Sequence, residues 1–358
     1  MFTMTTRQAG TSGSAVSRML RFVFSVLVIA GAATLVLPAA SQALPEVKAR
    51  LNELKPKDYP ARQIELMVAF GAGGGMDVHA RLFAKYLEKY TGQTFIVANR
   101  AGASGFIGHT HIAAQARPDG YTVGVLSSNF WADSIQRGDA KWTYRDVEPI
   151  AFFNAEPLAW LVTSNGPLKD KKLHDVIALA KEKPGELRVA MAETSPTAFL
   201  AQQVETAGGV RFNPIPFQGG RQALTAVLGG HIDISYGYMG EYRGMLEAGR
   251  IQLLALSSAR RSAVVPEVPT FNELLGLKDV LWDAFRFIVV PKGVSPERKA
   301  WLEAAFGAAL DDAELAREVS ALGASMDRSL NTPRKVADEI ERRVAFERVY
   351  YDRNARPR

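Results

Sequence analysis

From Ile64 to Phe70 the chain reads IELMVAF, an apolar run of strand length. The glycine cluster Gly71-Ala72-Gly73-Gly74-Gly75 follows it. Asp77 then opens a segment whose apolar positions Val78, Leu82, Tyr86, Leu87 and Tyr90 recur at helical spacing. Gly92 closes that segment where a C-terminal glycine is expected. Thr94 to Val97 reads as a second strand. Asn99 to Gly108 is another glycine-rich loop, leading into a helix to about Ala116. Asp119-Gly120 makes a turn before a third strand from Tyr121 to Leu126. Strand, helix, strand, helix, strand implies a parallel sheet covered by helices on both faces.

The order recurs downstream. Strands are expected at Leu158–Val162, Leu187–Ala192, Ile232–Tyr236, Ile251–Leu256 and Phe285–Val290. Helices are expected at His174–Glu182, Thr197–Ala207, Gln222–Leu228, Pro296–Ala309, Ala313–Leu322 and Pro333–Tyr350. The halves share an element order but little residue identity, so no sequence repeat is claimed. Two α/β domains in succession enclose a crevice, and their strand ends point glycine-rich loops into it. Residues 44–58, charged and punctuated by proline, read as a leader helix or tail.

The loop from Phe70 through Gly71, Ala72, Gly73, Gly74 and Gly75 to Asp77 is the most informative segment. A glycine loop between strand and helix leaves backbone N–H groups outward, and the helix dipole adds positive character. Together they hold an anion without a cationic side chain. The spacing is neither G-x-G-x-x-G nor a P-loop. Asp77 reads as the cap of the following helix and not as a base. In the second domain Thr194-Ser195-Pro196-Thr197 opens a helix, with Ser195 or Thr197 as cap, and offers further donors to the crevice. Polar and aromatic residues at strand ends are candidates for its walls: Ser127, Ser128 and Asn129, then Phe217 and Tyr236.

The remaining chemistry is sparse. Ser104 lies in G-x-S-G, which lacks the spacing of a nucleophile elbow. Arg100 reads as a salt-bridge partner. His109 and His111 are two apart and face different ways on a helix; with no H-E-x-x-H, no metal site is expected. No catalytic residue and no cofactor are assigned.

Composition changes the picture in three places. The 358 residues include no cysteine, which removes disulfides, thiolate metal sites and cysteine nucleophiles. The net charge of +6 shrinks once residues 1–43 are set aside, since they hold Arg7, Arg18 and Arg21 and no acid. The remainder has no basic run with interleaved aromatics, so no nucleic-acid partner is expected. Finally, a polar basic stretch precedes the apolar Phe22–Leu37, and Pro38 and the small residues Ser41 and Ala43 follow it. That is the pattern of a secretory signal of the Sec type, cut after Ala43. The apolar core is short for a membrane anchor.

The motifs, taken in order, resemble the tripartite tricarboxylate transporter receptors, the TctC or Bug proteins. Tyr59-Pro60 before the first strand, the glycine loop ending at Asp77 with Arg81 after it, and Asn99-Arg100-Ala101-Gly102-Ala103-Ser104-Gly105 match its opening segments. Pro118-Asp119-Gly120-Tyr121-Thr122, Pro216-Phe217-Gln218-Gly219-Gly220, Leu228-Gly229-Gly230-His231-Ile232-Asp233 and Val265-Pro266-Glu267-Val268-Pro269-Thr270 match later ones. The resemblance covers nearly all of the chain after residue 43. It implies a two-lobed periplasmic binding protein of type II-like α/β fold, each lobe a mainly parallel sheet flanked by helices. Residues 59–158 with 283–358 would form one lobe and residues 159–282 the other, joined by a hinge. It also implies closure on a small organic anion, a carboxylate; the aromatic strand ends of this chain favour an aromatic or extended apolar one over citrate, and a monomer is expected. Phe70–Asp77 would sit on one side, Thr194–Thr197 on the other, with Ser127–Asn129 adding polar contacts. Its partner would be the membrane components of a tripartite tricarboxylate transporter or a sensor kinase. Ala69 and Gly71 stand where the family often has proline, and Glu193–Thr197 replaces a glycine-serine segment. An exported α/β hydrolase is the competing reading, but it lacks a nucleophile–base pair.

Overall fold

The computed structural model describes residues 44–192, 196–258, 260–276 and 283–354. The expected signal and its cleavage point at Ala43 lie outside the described residues. The chain opens on helix α1 (Leu44–Leu54), which confirms the leader helix; its Leu51 carbonyl accepts the indole N–H of buried Trp301 at 3.1 Å.

Then come β1 (Ile64–Val68), α2 (Gly75–Thr91), β2 (Phe95–Asn99), α3 (Phe106–Thr110), β3 (Thr122–Ser127), α4 (Asn129–Gln136) and β4 (Val147–Pro157). These continue into β5 (Ala159–Thr163), α5 (Leu173–Glu182), β6 (Arg188–Met191), α6 (Pro196–Gly208), β7 (Asn213–Pro216), α7 (Gly220–Leu228) and β8 (Ser235–Gly237). The last group is α8 (Met239–Glu247), β9 (Ile251–Leu256), α9 (Phe271–Leu275), β10 (Asp283–Pro291), α10 (Pro296–Leu310), α11 (Ala313–Ala321) and α12 (Pro333–Asn354).

The first sheet has the order β2-β1-β3-β10-β4. β1 pairs parallel with β2 and β3, while β10 runs antiparallel between β3 and β4. The second arrangement has the same plan. β6 pairs parallel with β7, and β5 runs antiparallel between β8 and β9. A parallel bridge between Val189 and Ile234 joins the two pieces, so the order is β7-β6-β8-β5-β9. Each sheet is thus four parallel strands and one reversed strand, and the reversed strand is the one out of sequence order. A single residue, Leu158, separates β4 from β5, and β10 returns to the first sheet after α9. The β4-to-β5 passage is tied to the end of β9, where the Ser257 N–H donates to the Leu158 carbonyl and the Leu158 N–H to Ser257 Oγ.

Burial explains the apolar runs. Ile64, Leu66 and Val68 enter one core with Phe83, Leu87 and Trp301, while Met67 enters the other. With both faces covered, a strand reads as continuous apolar sequence and does not alternate. The buried stripe of α2 is Met76, Ala80, Phe83 and Leu87, one step round from the expected Val78 and Leu82, which are only half-buried. Gly92 ends the helix at φ 65°, its N–H on the Glu88 carbonyl.

Candidate functional site

A cleft of about 240 Å³ lies where the strand ends of both sheets meet. Phe70, Gly71, Ala72, Gly74 and Gly75 line one wall, with Ser127 and Asn129 beside them; Thr197, Tyr236 and the start of α7 line the other. Those predicted residues come together. Gly73, Asp77, Ser128 and Phe217 do not reach the cavity. Ser128 is buried at the start of α4 with its hydroxyl unpartnered. Phe217 packs on the hydrophobic core instead. Thr194 and Ser195 lie outside the described residues.

The glycine loop is more occupied than the sequence suggests. The helix cap is Gly74, not Asp77. Asp77, at the third helical position, reaches back to accept the Gly73 N–H at 2.8 Å. Burial pushes the Asp77 carboxyl up, but hydrogen bonds from Arg81, Gly73 and Asn99 outweigh it and hold the group below its ordinary range. The Gly74 N–H goes to the Gly71 carbonyl at 3.2 Å. The Gly75 N–H, the first of α2, donates to Glu241 Oε1 at 3.0 Å. The expected outward donors are therefore met by the chain's own acceptors, one of which comes across the cleft. Gly73 sits at φ 74°, and a Cβ there would lie 2.7 Å from the Arg221 guanidinium. Only glycine suits that approach.

Three further bonds cross the cleft. Arg221 Nε donates to the Gly73 carbonyl at 3.2 Å and the Ser104 N–H to Gln218 Oε1 at 2.9 Å. The Gly240 N–H, in the first turn of α8, donates to Glu156 Oε1 at 3.3 Å.

Beneath the glycine loop lies a charged group that sequence reasoning missed. Arg286 on β10 and Glu156 on β4 are 1% and 0% exposed. Arg286 donates to Glu156 Oε2 at 2.6 Å and to Asn154 Oδ1 at 2.8 Å. Arg286 lines the cleft, stands 5.2 Å from the Tyr238 ring centroid, and keeps a buried Nε without a partner. His79 Nε2 lies 3.3 Å from Glu156. Burial lowers His79, so it is neutral near pH 7. Burial would raise Glu156, yet the charge of Arg286, with His79 beside it, brings its carboxyl down to about 2. Glu241 differs. Burial raises it, and only the N–H groups of Gly75 and Tyr238 oppose that. Burial also raises Tyr236 far above a free phenol. A lone arginine inside the apolar run of β10 was the available signal, since buried arginines are almost always paired. Glu241 carried none.

His109 Nδ1 lies 2.6 Å from Asp133 in the interior, but His109 Nε2 has no hydrogen-bond partner, so Ser104 is not linked to it. Among the described residues no cluster of three metal-ligating side chains exists, and no helix is long and apolar enough to cross a membrane.

The family model for the tripartite tricarboxylate transporter family receptor matches residues 79–346. The chain belongs to that family. It is 32% identical over 292 residues to protein BugT of Bordetella pertussis, covering 79% of this chain and 88% of the relative. Among solved structures, Rhodopseudomonas palustris MatC with bound malate aligns at TM-score 0.72 and 26% identity, covering 80% of this chain and 98% of that one. R. palustris Rpa4515 with adipate aligns at TM-score 0.75 and 26% identity, covering 82% and 97%. The expected family and the two-lobed periplasmic binding protein fold are thereby established. Such receptors bind solutes and are not a class of enzyme.

Proposed function

We propose that this receptor captures a small organic anion in the cleft between its sheets and hands it to the membrane components of a tripartite tricarboxylate-type transporter. The observation that carries the reading is the cleft itself. Two guanidinium side chains, Arg221 and Arg286, line the one cavity and bring positive charge to it. MatC with malate and Rpa4515 with adipate, both relatives by fold, support a carboxylate. Residues 59–158 with 283–358 form one lobe and 159–282 the other. The β4-to-β5 passage at Leu158 serves as a hinge strand. Closure follows from a ligand that touches both lobes and so favours the closed state by its differential affinity. The basic and apolar pattern of residues 1–43 supports Sec export, cleavage near Ala43, and work in the periplasm.

A thermal-shift screen of the purified receptor against mono-, di- and aromatic carboxylates tests this. A ligand at about 100 times its Kd adds roughly 2.7 kcal/mol of stability. The expected result is a rise in Tm with at least one carboxylate, recovered chemically unchanged. Recovery of a converted product would make the protein an enzyme, and no shift with any organic acid would overturn the reading.

A further inference from the structure

The cleft contains a carboxylate of its own. Glu241 Oε1 takes the Gly75 N–H and Oε2 takes the Tyr238 N–H, both at 3.0 Å. Glycines cradle it: a Cβ at Gly220 would collide with the carboxylate, and one at Gly74 would lie 3.5 Å from Oε1. The group lines the cavity and is held in place, so it occupies the anion position of α2 before any ligand arrives. No cation among the described residues lies within ion-pair distance of it. Arg286 is engaged by Glu156 and Asn154, and only its Nε is left over. At the base of the cleft Glu156 and Glu241 therefore face one buried arginine, an excess of one negative charge. The two ends of this arrangement flank Gly75: a Cβ there would lie 3.2 Å from Arg286 Nη2, and its N–H meets Glu241.

We propose that Glu241 sets the charge of the ligand, so that the cleft takes an organic acid bearing one carboxylate and one ammonium group and turns away the matching acid without the ammonium. The ligand carboxylate meets Arg221, which lines the same cavity, and the ammonium meets Glu241. A buried charge without a counter-ion is costly, and a ligand cation removes that cost. A second ligand carboxylate would instead be pressed against a fixed like charge. The inference rests on the organic-anion reading above and narrows it.

Calorimetric titration of the full receptor with matched probes tests it: alanine against lactate, γ-aminobutyrate against succinate, and 6-aminohexanoate against adipate. In the wild type the amino member of a binding pair is expected to be at least tenfold tighter. Glu241→Gln is expected to shrink or reverse that ratio by tenfold or more, while Glu241→Asp, which keeps the charge, preserves it. The thermal midpoint of each variant, measured first, establishes that it is folded. A ratio that Glu241→Gln leaves unchanged, or a wild type that prefers the non-amino member, overturns the proposal. So does an equal gain for both members in Glu241→Gln, which would make Glu241 a plug that any carboxylate displaces. In all three cases carboxylate binding itself still stands. Failure of every organic acid to bind the wild type would overturn the organic-anion reading and this inference with it.

Discussion

Glu156 and Glu241 stand on opposite sides of one cleft, and each accepts a backbone N–H from the first turn of a helix on the other side. Their proton affinities nevertheless move apart. Burial acts on both, but Glu156 has Arg286 at 2.6 Å and falls to about 2, whereas Glu241 has only peptide dipoles and rises. Helix N-termini supply a partial charge, and a guanidinium supplies a whole one. The difference separates their roles. Glu156 is neutralised by its own chain and holds the sheet together, while Glu241 is left for a ligand to neutralise.

The sharpest way to break this contrast is to remove the cation. Arg286→Met leaves Glu156 buried without its partner and is expected to cost about 3–5 kcal/mol, read by urea unfolding. Adding Glu156→Gln to that variant should recover much of the loss, because the uncompensated charge is gone. A Cm that Arg286→Met does not move would show that the pair contributes nothing.

Next in size is the acid response. Glu156 has a depressed folded pKa, so its contribution is present above the unfolded carboxyl range near 4.5 and is lost as pH falls towards about 2. The loss is on the order of 3 kcal/mol. Glu241 has the opposite sign: its raised pKa means that ionisation weakens the fold as pH rises through and above that same range. Thermal midpoints from pH 2 to 6 for the wild type and Glu156→Gln check this, and parallel curves would refute it.

The smallest effect sharpens the ligand side. Gly74→Asp would place a second carboxylate beside Glu241, whose Oε1 lies 3.5 Å from a Cβ at that position. An organic acid that binds the wild type should bind this variant at least tenfold more weakly, with little change in Tm. Unchanged affinity would remove the first glycine loop from the site.

The sheet elements were legible because their burial is two-sided. IELMV at β1 and IQLLAL at β9 are apolar but for Glu65 and Gln252, and the predicted bounds of β9 match the observed strand. Five elements escaped: β4, β7, α4, α8 and α9, and two of them carry the site's acids. β4 reads VEPIAFFNAEP, where Pro149, Asn154 and Glu156 interrupt the run. α8 reads MGEYRGMLE, whose two glycines weaken helix propensity. These are the elements that carry Glu156 and Glu241. A polar residue that works in a buried cleft spoils the local pattern of the element bearing it, so segments holding the site's charge were among those hardest to read.

The sequence by itself determined the family, the two α/β lobes and the glycine loop at the head of α2, because strand and helix periodicity and glycine turns are local properties of the chain. Only the tertiary structure decided what fills that loop. Residues 166 positions apart, Gly75 and Glu241, meet at 3.0 Å, and β4 and β10 bring Glu156 to Arg286 across 130 positions. Charge compensation depends on distance in space and on exclusion of water, and neither is written in the order of residues.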